Sequence, residues 1–257
     1  MSTVRETNQQ SAASMNDASA DMTAKVLVML CTYNERGNLP DMLNLLKEQL
    51  PEADVLVVDD NSPDGTADYV KQFQELNPQV HLMQRAGKLG LGTAVRDGMR
   101  WCLERDYDYL INLDADHSHN PASTPAMLEK CRQSDVDVSI GSRYIPGGGF
   151  PGLAWHRILI SRCLNGYATR LLRLPVTDCS GSFRCYSTSA LRKIDLAKLT
   201  CNGYGFLEEI LVALHRSGAQ LAEVPIQFET RMTGKSKLSF SDIVGALSVI
   251  HKMAFRR

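Results

Sequence analysis

Residues 54–65 read DVLVVDDNSPDG, and this stretch decides which fold the sequence predicts. Asp54–Asp59 is a short apolar run, typical of a strand that is buried on both faces of a sheet, and the turn residues after it mark its end. Lys25–Cys31, which reads KVLVMLC, has the same pattern and is also followed by polar residues. Because strands buried on both faces occur mainly in parallel sheets, the two runs predict an α/β fold.

Predicted strands and helices alternate through the first half of the chain. The other predicted strands are 80–84, 109–113 and 136–142, and the predicted helices are 39–50, 66–76, 90–105 and 121–133. This alternation favours a mostly parallel central sheet with helices on both faces. Functional residues commonly lie in the loops at the carboxyl ends of parallel strands. The loops in question are 32–38, 59–65, 114–120 and 143–150.

The second half alternates less regularly. Its predicted helices are 155–174 and 206–216, its predicted strands are 183–187 and 221–228, and a basic loop covers 231–238. Ser239 can cap a last helix in which apolar residues recur at helical spacing. Residues 1–23 are polar and have no apolar run, which is typical of a disordered tail. We therefore predict a tail over 1–23, an α/β domain over 24–238 and an amphipathic C-terminal helix over 239–257.

Charge is distributed unevenly along the 257 residues. The 28 Lys and Arg nearly balance the 29 Asp and Glu, but residues 1–142 carry 12 basic and 22 acidic side chains, and residues 143–257 carry 16 basic and 7 acidic ones. The balanced total argues against a general nucleic-acid-binding protein, which is usually basic overall. The split instead suggests an acidic half that holds a cation and a basic half that contacts anions.

The chain shows no export signal and no membrane span. Residues 1–23 lack the apolar core of a signal peptide, and no run approaches the roughly 20 apolar residues that cross a bilayer. We therefore expect a cytoplasmic protein. The seven cysteines are an odd number without a CxxC pair, which favours free buried thiols over disulfides or a structural zinc site.

The sharpest chemical motif is Asp114-Ala115-Asp116, which follows a predicted strand. Two carboxylates around one residue can converge on a hard cation such as Mg²⁺ or Mn²⁺, which one or two carboxylates plus substrate phosphates usually hold. The alternative is a pair of loop aspartates that cap the next helix.

Other motifs leave alternatives open. Asp59-Asp60 could accept hydrogen bonds from a nucleoside or could form a turn only, and residues 88–92 (KLGLG) favour a close-packed loop that opens a helix over a phosphate loop. Glu209 could be an active-site acid or a surface charge. Several basic residues near glycines and turns could bind phosphates or form a solvated face, namely Arg143, Arg157, Arg184, Arg231 and Lys237.

These motifs, taken in order, resemble family 2 glycosyltransferases with the GT-A fold, and most closely the polyprenol-phosphate (dolichol-phosphate) mannose synthases. The matching segments are TYNE (32–35), VDDNSPDGT (58–66), KLGLGT (88–93), LDAD (113–116), GSRY (141–144), SGSFR (180–184), EVPI (223–226) and a last group within 231–238. The resemblance implies that residues 24–238 form a GT-A catalytic domain.

The resemblance also implies roles for individual residues. The catalytic residues would be Asp116, Arg143 and Arg157, and the metal ligands would be Asp114, Asp116 and Ser118. Donor-binding residues would be Cys31, Tyr33, Glu35, Val58, Asp60, Asp114, Ala115, Asp116, Arg143, Arg231 and Lys237. Three positions depart from the family pattern. Cys31 stands where the family often has Pro, Ser118 stands where some members have a Gln ligand, and Lys235 replaces the usual acidic residue between Gly234 and Ser236.

The implied reaction is inverting transfer of mannose from GDP-mannose to a polyprenyl (dolichyl-type) monophosphate, supported by Mg²⁺ or Mn²⁺. The implied partner is a membrane surface or a small membrane-anchoring subunit, so we expect a peripherally membrane-associated cytoplasmic enzyme and no nucleic-acid partner. Alternatives are a family 2 enzyme that uses UDP-glucose or UDP-GlcNAc, or a non-catalytic nucleotide-sugar-binding module. The motifs indicate a nucleotide diphosphate and a metal more clearly than they indicate which sugar is transferred.

Overall fold

The computed structural model describes residues 24–203, 205–229 and 249–255. Its strands are β1 (Val26–Thr32), β2 (Asp54–Asp59), β3 (Val80–Gln84), β4 (Tyr109–Asp114), β5 (Val138–Ser142), β6 (Arg184–Ser187) and β7 (Leu221–Pro225). Its helices are α1 (Leu39–Gln49), α2 (Thr66–Leu76), α3 (Leu91–Leu103), α4 (Thr124–Arg132), α5 (Trp155–Leu172), α6 (Thr188–Leu191) and α7 (Phe206–Arg216). Short 3₁₀ helices cover Pro121–Ser123 and Leu196–Lys198.

The seven strands form one sheet in the order β3-β2-β1-β4-β6-β5-β7. All neighbouring pairs are parallel except those of β6, which runs antiparallel to both β4 and β5. The chain leaves β5 at its carboxyl end, passes through α5 and returns to the same edge, where Asp178 accepts a hydrogen bond from Nε of Arg143 at 2.7 Å. Because β6 starts from that edge, it must run in the opposite direction. The predicted mostly parallel α/β sheet is confirmed.

Helices cover both faces of the sheet. Alternate residues of β1 point to opposite faces, so that Leu27 and Met29 join one core and Val28 and Leu30 join the other. Helices α3, α5 and α7 pack on the first core, and α1, α2 and α4 pack on the second. This packing explains why β1 and β2 are apolar at nearly every position.

The sequence located most elements well but missed several boundaries. The predicted helix over 121–133 is a 3₁₀ helix followed by α4, because Pro125 stands at the start of the α-helix. Strand β7 ends at Pro225, three residues before the predicted end. Helix α6, only four residues long, is too short to give a periodic signal.

Only part of the predicted C-terminal helix lies in the described residues. Residues 249–255 are helical, and Ile250 and Met253 are buried in the core on the α5 and α7 side of the sheet. Oη of Tyr167 in α5 lies 2.8 Å from Nε2 of His251. These contacts show that this segment packs on the α/β domain. The predicted tail over 1–23 and residues 239–248 of the predicted helix lie outside the described residues. None of the helices in the described part of the chain is both long and apolar enough to cross a membrane.

Candidate active site

The carboxyl ends of β1, β2, β4 and β5 meet at one edge of the sheet, as the sequence predicted. Cys31 in β1 pairs with Asp114 at the end of β4, and Thr32 pairs with Asp59 at the end of β2. Oγ1 of Thr32 donates a hydrogen bond to Oδ1 of Asp59 at 3.0 Å. The buried Asp59 also accepts from the backbone of Ser62 at 2.9 Å, so this aspartate shapes a turn. It has no exposed surface with which to contact a ligand.

Asp114 and Asp116 stand on a tight turn at this edge. The partly exposed Asp114 accepts a hydrogen bond from Oγ of Ser182 at 2.8 Å. Asp116 is nearly buried, and its Oδ1 accepts from the backbone N–H of Ser118 at 3.0 Å. His117, which directly follows Asp116, adopts a left-handed conformation, with φ of 61°, and turns the chain toward Ser118. The turn therefore holds both carboxylates in fixed positions.

The donor set of this turn fits a hard divalent cation. Two aspartates supply oxygen ligands, and Mg²⁺ commonly takes one or two carboxylates together with substrate phosphates. Within the described residues no group of three or more His, Cys, Asp or Glu side chains could hold a metal. A cation here could complete its coordination with oxygens from a bound diphosphate. Oγ of Ser118 is buried and has no hydrogen-bond partner in the described part of the chain, where Ser118 contributes its N–H bond to Asp116.

His119 forms the floor beneath this turn. It is buried between the rings of Phe183 and Phe228, with centroids 5.3 and 5.4 Å away, and its Nδ1 lies 3.3 Å from the backbone nitrogen of Asp114. Burial lowers the pKa of His119, although the nearby Asp114 acts in the opposite direction. A neutral imidazole packed in this way supports the turn and is a poor candidate for a proton donor.

Asp60 is engaged by the protein itself. It forms a buried ion pair with Arg85, and its Oδ2 accepts from the backbone N–H groups of Leu89 and Gly90 at 3.1 and 3.2 Å. These bonds dock the 88–92 loop on the end of β2. A Cβ atom on Gly92 would lie 2.7 Å from the carbonyl oxygen of Cys201. The interpretation of KLGLG as a close-packed loop that opens a helix is confirmed. Arg85, which belongs to none of the sequence motifs, neutralises Asp60.

We expect Asp60→Asn to destabilise the fold, because it leaves the buried Arg85 with only one acidic partner. That partner is Asp97, whose Oδ2 lies 3.2 Å from Nη2 and which is more exposed. Removing one member of a buried ion pair costs about 3–5 kcal/mol, and the remaining aspartate should limit the loss to about 2–3 kcal/mol. Urea unfolding measures it. The matched variant Asp97→Asn should lose less than about 1 kcal/mol; equal losses would contradict this assignment.

Exposed and half-buried side chains lie beside the docked 88–92 loop and form one wall of the site. Nζ of Lys88 lies 4.0 Å from the ring centroid of the exposed Tyr33. Cys31 is half-buried at the end of β1. Val58, in contrast, has no exposed surface and its side chain belongs to the core. The predicted contact of Val58 with a nucleotide can therefore involve only its backbone, because strand alternation turns its side chain inward.

Several hydrogen bonds hold the side chain of Arg143 in place. Its Nε and Nη2 donate to the two carboxylate oxygens of Asp178 at 2.7 and 2.8 Å, and Nη2 also donates to Ser180 at 2.8 Å. Burial by itself would lower the pKa of Arg143, but the bonds to Asp178 outweigh it and raise the pKa. Nη1 has no hydrogen-bond partner among the described residues. The guanidinium is therefore permanently charged and held with one free edge.

The other predicted basic residues divide into three groups. Arg157 is exposed in the first turn of α5. Arg184 is fully buried and donates to backbone oxygens of Cys179 and Leu207, so the prediction that it could bind phosphate is wrong. The last two, Arg231 and Lys237, lie outside the described residues. The last described residue before them, Glu229, lies next to the turn that carries Asp114 and Asp116, which we call the aspartate turn. Its N–H donates a hydrogen bond to the carbonyl of Ser118 at 3.0 Å.

Comparison with known proteins identifies the family. Residues 27–195 match the family described as glycosyl transferase family 2. The chain belongs to glycosyl transferase family 2. An undecaprenyl-phosphate mannosyltransferase of Micrococcus luteus is 43% identical over 221 residues, which cover 86% of this chain and 90% of the relative. A polyprenol monophosphomannose synthase of Mycolicibacterium smegmatis is 36% identical over 249 residues, 96% of this chain and 94% of the relative.

Solved structures agree with the family 2 assignment at the level of the fold. Glucosyl-3-phosphoglycerate synthase from Mycobacterium tuberculosis, in a complex with Mn²⁺, uridine diphosphate and phosphoglyceric acid, superposes with a TM-score of 0.67. The match covers 93% of this chain and 81% of that one, at 14% sequence identity. The GT-A fold that the motifs predicted is confirmed.

Two neighbouring glutamates of this family 2 enzyme have different environments. Glu209 accepts from the backbone N–H groups of Thr200 and Cys201 at 3.0 and 2.8 Å, so it is neither a surface charge nor an open acid. Glu208 has a buried Oε2 that finds no hydrogen-bond partner among the residues the structure describes. Burial raises the pKa of Glu208 to about 7, although Arg184 acts in the opposite direction. The sequence singled out Glu209 but could not tell which glutamate packs against the protein and which one anchors a loop.

The raised pKa of Glu208 predicts a pH dependence of stability. Between pH 4.5 and about 7 the unfolded chain loses this proton while the folded chain keeps it, so the free energy of unfolding falls as pH rises. We expect Glu208→Gln to flatten this fall by up to about 1.4 kcal/mol per pH unit. Urea unfolding at about pH 5, 6 and 7 measures it. Glu209→Gln should instead lower stability at every pH; a parallel shift in Glu208→Gln would contradict the assignment.

Proposed function

We propose that this chain is an inverting mannosyltransferase that moves mannose from a nucleotide sugar to a polyprenyl monophosphate. The observation that carries the proposal is the near full-length similarity to the Micrococcus luteus undecaprenyl-phosphate mannosyltransferase. The Mycolicibacterium smegmatis relative, whose name also specifies a polyprenol phosphate and mannose, supports the same substrate class. Matches of 221 and 249 residues in a chain of 257 are long enough that both must include the positions of Asp114, Asp116 and Arg143.

GDP-mannose is the donor we propose. The nucleoside would lie along the wall formed by Cys31, Tyr33 and Glu35, where Lys88 already covers one face of the aromatic ring. The backbone at Val58 and the Asp60-supported loop would close this wall from the side of β2.

A divalent cation, Mn²⁺ or Mg²⁺, is the cofactor we propose. Asp114 and Asp116 would hold it against the donor diphosphate, with Ala115 between them at the nucleotide. When bound, the cation would neutralise charge on the diphosphate that leaves during transfer. The structural neighbour whose complex contains Mn²⁺ and uridine diphosphate supports a cation of this kind in the fold.

The remaining residues would overcome repulsion between two phosphates. A polyprenyl monophosphate is already an anion at neutral pH, so its attack on the sugar needs little help from a general base. It must, however, approach a donor that is also negatively charged. The guanidinium of Arg143, fixed by Asp178, would present positive charge to that approach, as would Arg157 on the acceptor side. Arg231 and Lys237 would complete the donor side.

Contact with a membrane follows from a lipid acceptor. The first half of α5 exposes large apolar side chains, with Trp155, Leu159 and Ile160 accessible at 75%, 54% and 46%. Exposed apolar groups of this size on one helix are typical of a membrane or protein interface. We propose that this half of α5 contacts the membrane surface, and that the enzyme is peripherally attached on the cytoplasmic side. A small anchoring subunit is the alternative partner for the same surface.

The decisive experiment is incubation of the protein with a panel of labelled nucleotide sugars and a polyprenyl phosphate, with and without Mn²⁺. Extractable lipid-linked mannose formed from GDP-mannose is the expected result. Lipid-linked glucose or N-acetylglucosamine from the UDP sugars would favour the alternative family 2 reaction. Absence of any lipid-linked sugar, with nucleotide binding retained, would favour a non-catalytic module. Sedimentation of the chain alone with vesicles tests whether an anchoring subunit is needed.

A further inference from the structure

Three arginines line a cavity outside the site described above. Arg162, Arg170 and Arg173 face a cavity of about 640 Å³ between α5 and residues 174–177. At 100° per residue, Arg162 and Arg170 fall about 80° apart around the axis of α5 and share one face of the helix, and Arg173 directly follows its last residue. The cavity has the volume of a small-molecule site, and none of its lining residues is an aspartate or glutamate.

No acidic side chain in the described part of the chain forms an ion pair with the arginines of this cavity. Among the described residues, Arg162 and Arg173 have no side-chain hydrogen-bond or ion-pair partner, and Arg170 uses one N–H group to donate to the carbonyl of Gly166 at 3.3 Å. Each guanidinium has five N–H donors. Arginines in the last turn of a helix complement its dipole, but Arg162 lies more than two turns earlier and cannot act in this way. The cluster therefore offers many unused donors around one space.

The opposite wall of the cavity is held rigidly. Asn165 of α5 is buried; its amide donates to the carbonyl of Thr177 and its Oδ1 accepts from N–H of Cys179 at 3.0 Å. Arg173 has a left-handed backbone with φ of 56°, which turns the chain back along the helix, and N–H of Leu174 donates to the carbonyl of Thr169 at 2.9 Å. This wall is thus preformed, and a ligand would need to order only the exposed arginine side chains.

Neither Arg143 nor Asp178 is among the residues that line the cavity. Tyr144 and Thr177, which line it, directly follow Arg143 and directly precede Asp178, and that pair neutralises itself. The cavity also lies on the same helix as the exposed apolar residues, since Arg162 follows Ile160 by two positions. A membrane against the first half of α5 would bring lipid headgroups to the level of the three arginines.

We infer that this cavity binds a phosphate group, supplied by the headgroup of an anionic membrane lipid, and that this bond orients the enzyme on the membrane. Guanidinium groups bind phosphate oxygens bidentately, and three of them can surround one headgroup. The headgroup is distinct from the acceptor phosphate, which the proposed function assigns to Arg143 and Arg157. The inference rests on the membrane contact in the proposed function.

The test compares binding to vesicles of phosphatidylcholine alone with binding to vesicles that also contain phosphatidylglycerol. The variant is Arg162→Gln/Arg170→Gln/Arg173→Gln. The matched control, Arg192→Gln/Lys193→Gln/Lys198→Gln, removes the same charge from exposed positions that follow β6, near the opposite edge of the sheet. Each cavity arginine near an anionic surface should contribute about fivefold, so the variant should lose roughly 100-fold in affinity for phosphatidylglycerol vesicles. The control should lose far less.

A second arm distinguishes the source of the phosphate. Inorganic phosphate is titrated against the folded proteins and the thermal midpoint is recorded, with Arg162→Gln alone as the variant if the triple substitution fails to fold. Stabilisation of the wild type but not the variant, with unchanged vesicle binding, would overturn the lipid as the source. Equal behaviour of variant and control in both arms would overturn the site itself.

Transfer of mannose in detergent, without anionic lipid, separates this inference from the proposed function. We expect the triple variant to retain transfer there, since no cavity arginine belongs to the proposed site. Loss of transfer in the folded variant would overturn the separation of the two phosphate sites. Absence of transfer in the wild type would overturn the proposed function, while the vesicle result would still decide whether the cavity binds a lipid headgroup.

Discussion

Asp116→Ala is expected to lose nearly all transfer while the protein stays folded. Asp116 is one of two carboxylates on the aspartate turn, and its removal would leave the proposed cation with Asp114 alone on the protein side. Loss of a group that stabilises developing charge on a leaving diphosphate should lower kcat by about 10²–10³ or more. Loss of the hydrogen bond from Ser118 costs only about 1 kcal/mol, and the contacts of Asp114 with Ser182 and His119 still hold the turn, so the fold should survive.

The measurement is lipid-linked mannose formed at saturating donor over a range of Mn²⁺ concentrations, with circular dichroism to verify the fold. Ser118→Ala is the matched variant from the same turn, because Oγ of Ser118 has no partner in the described structure while its N–H bond to Asp116 would remain. Transfer close to wild type is expected for this variant; a weaker response to Mn²⁺ would support the prediction that Ser118 is a ligand. Substantial metal-dependent transfer in Asp116→Ala would contradict the assignment of the aspartate turn as the metal site.

Asp178→Ala is expected to combine the largest loss of stability with loss of transfer. Asp178 is fully buried and accepts from Nε, Nη2 and the backbone nitrogen of Arg143 at 2.7, 2.8 and 3.1 Å. Its pKa stays below the usual value, because the bonds from Arg143 outweigh the opposing effect of burial. Its removal leaves a buried arginine without a counter-charge, which costs about 3–5 kcal/mol.

A double-mutant cycle with Arg143→Met separates structure from function. If the pair is a buried ion pair, Asp178→Ala/Arg143→Met should be more stable than Asp178→Ala, because no uncompensated charge remains. Transfer should stay low in both, since the fixed guanidinium is absent. Arg143→Lys keeps the charge but loses the bidentate geometry, and we expect it to recover little activity. Additive stability losses in the urea cycle, or transfer restored by the double variant, would contradict this assignment.

The sheet could be predicted from the sequence because its signal is local. Lys25–Cys31 and Asp54–Asp59 are apolar at nearly every position, which matches the burial of β1 and β2 on both faces, and the structure places those strands within one residue of the prediction. Likewise, the loops after β1, β2 and β4 were predicted to meet because parallel strands share one carboxyl edge. The predicted element boundaries were wrong where a proline or a very short helix interrupts the periodicity, as at 121–124 and in α6.

Pairing between distant residues could not be predicted in the same way. Arg143 and Arg184 are both arginines next to serine or phenylalanine in glycine-containing segments, and only the sheet order β4-β6-β5 turns one toward the site edge and buries the other in the core. Asp60 looked like an open ligand, but β3 brings Arg85 to it across 25 residues. Glu208 and Glu209 are adjacent in sequence, and their different surroundings follow from how α7 packs.

The sequence by itself determined the α/β sheet, the edge of the sheet where the site lies and the ordered motifs of family 2. Strand burial, turns and motif spacing each depend on residues that are close together in the chain. The tertiary structure alone decided which charges are free and which are engaged. It fixed Arg143 on Asp178, neutralised Asp60 with Arg85, and placed Arg162, Arg170 and Arg173 around one cavity without an acidic partner among the described residues. The physical reason is that the state of a charge depends on partners and burial, and folding sets both through contacts between residues far apart in the chain.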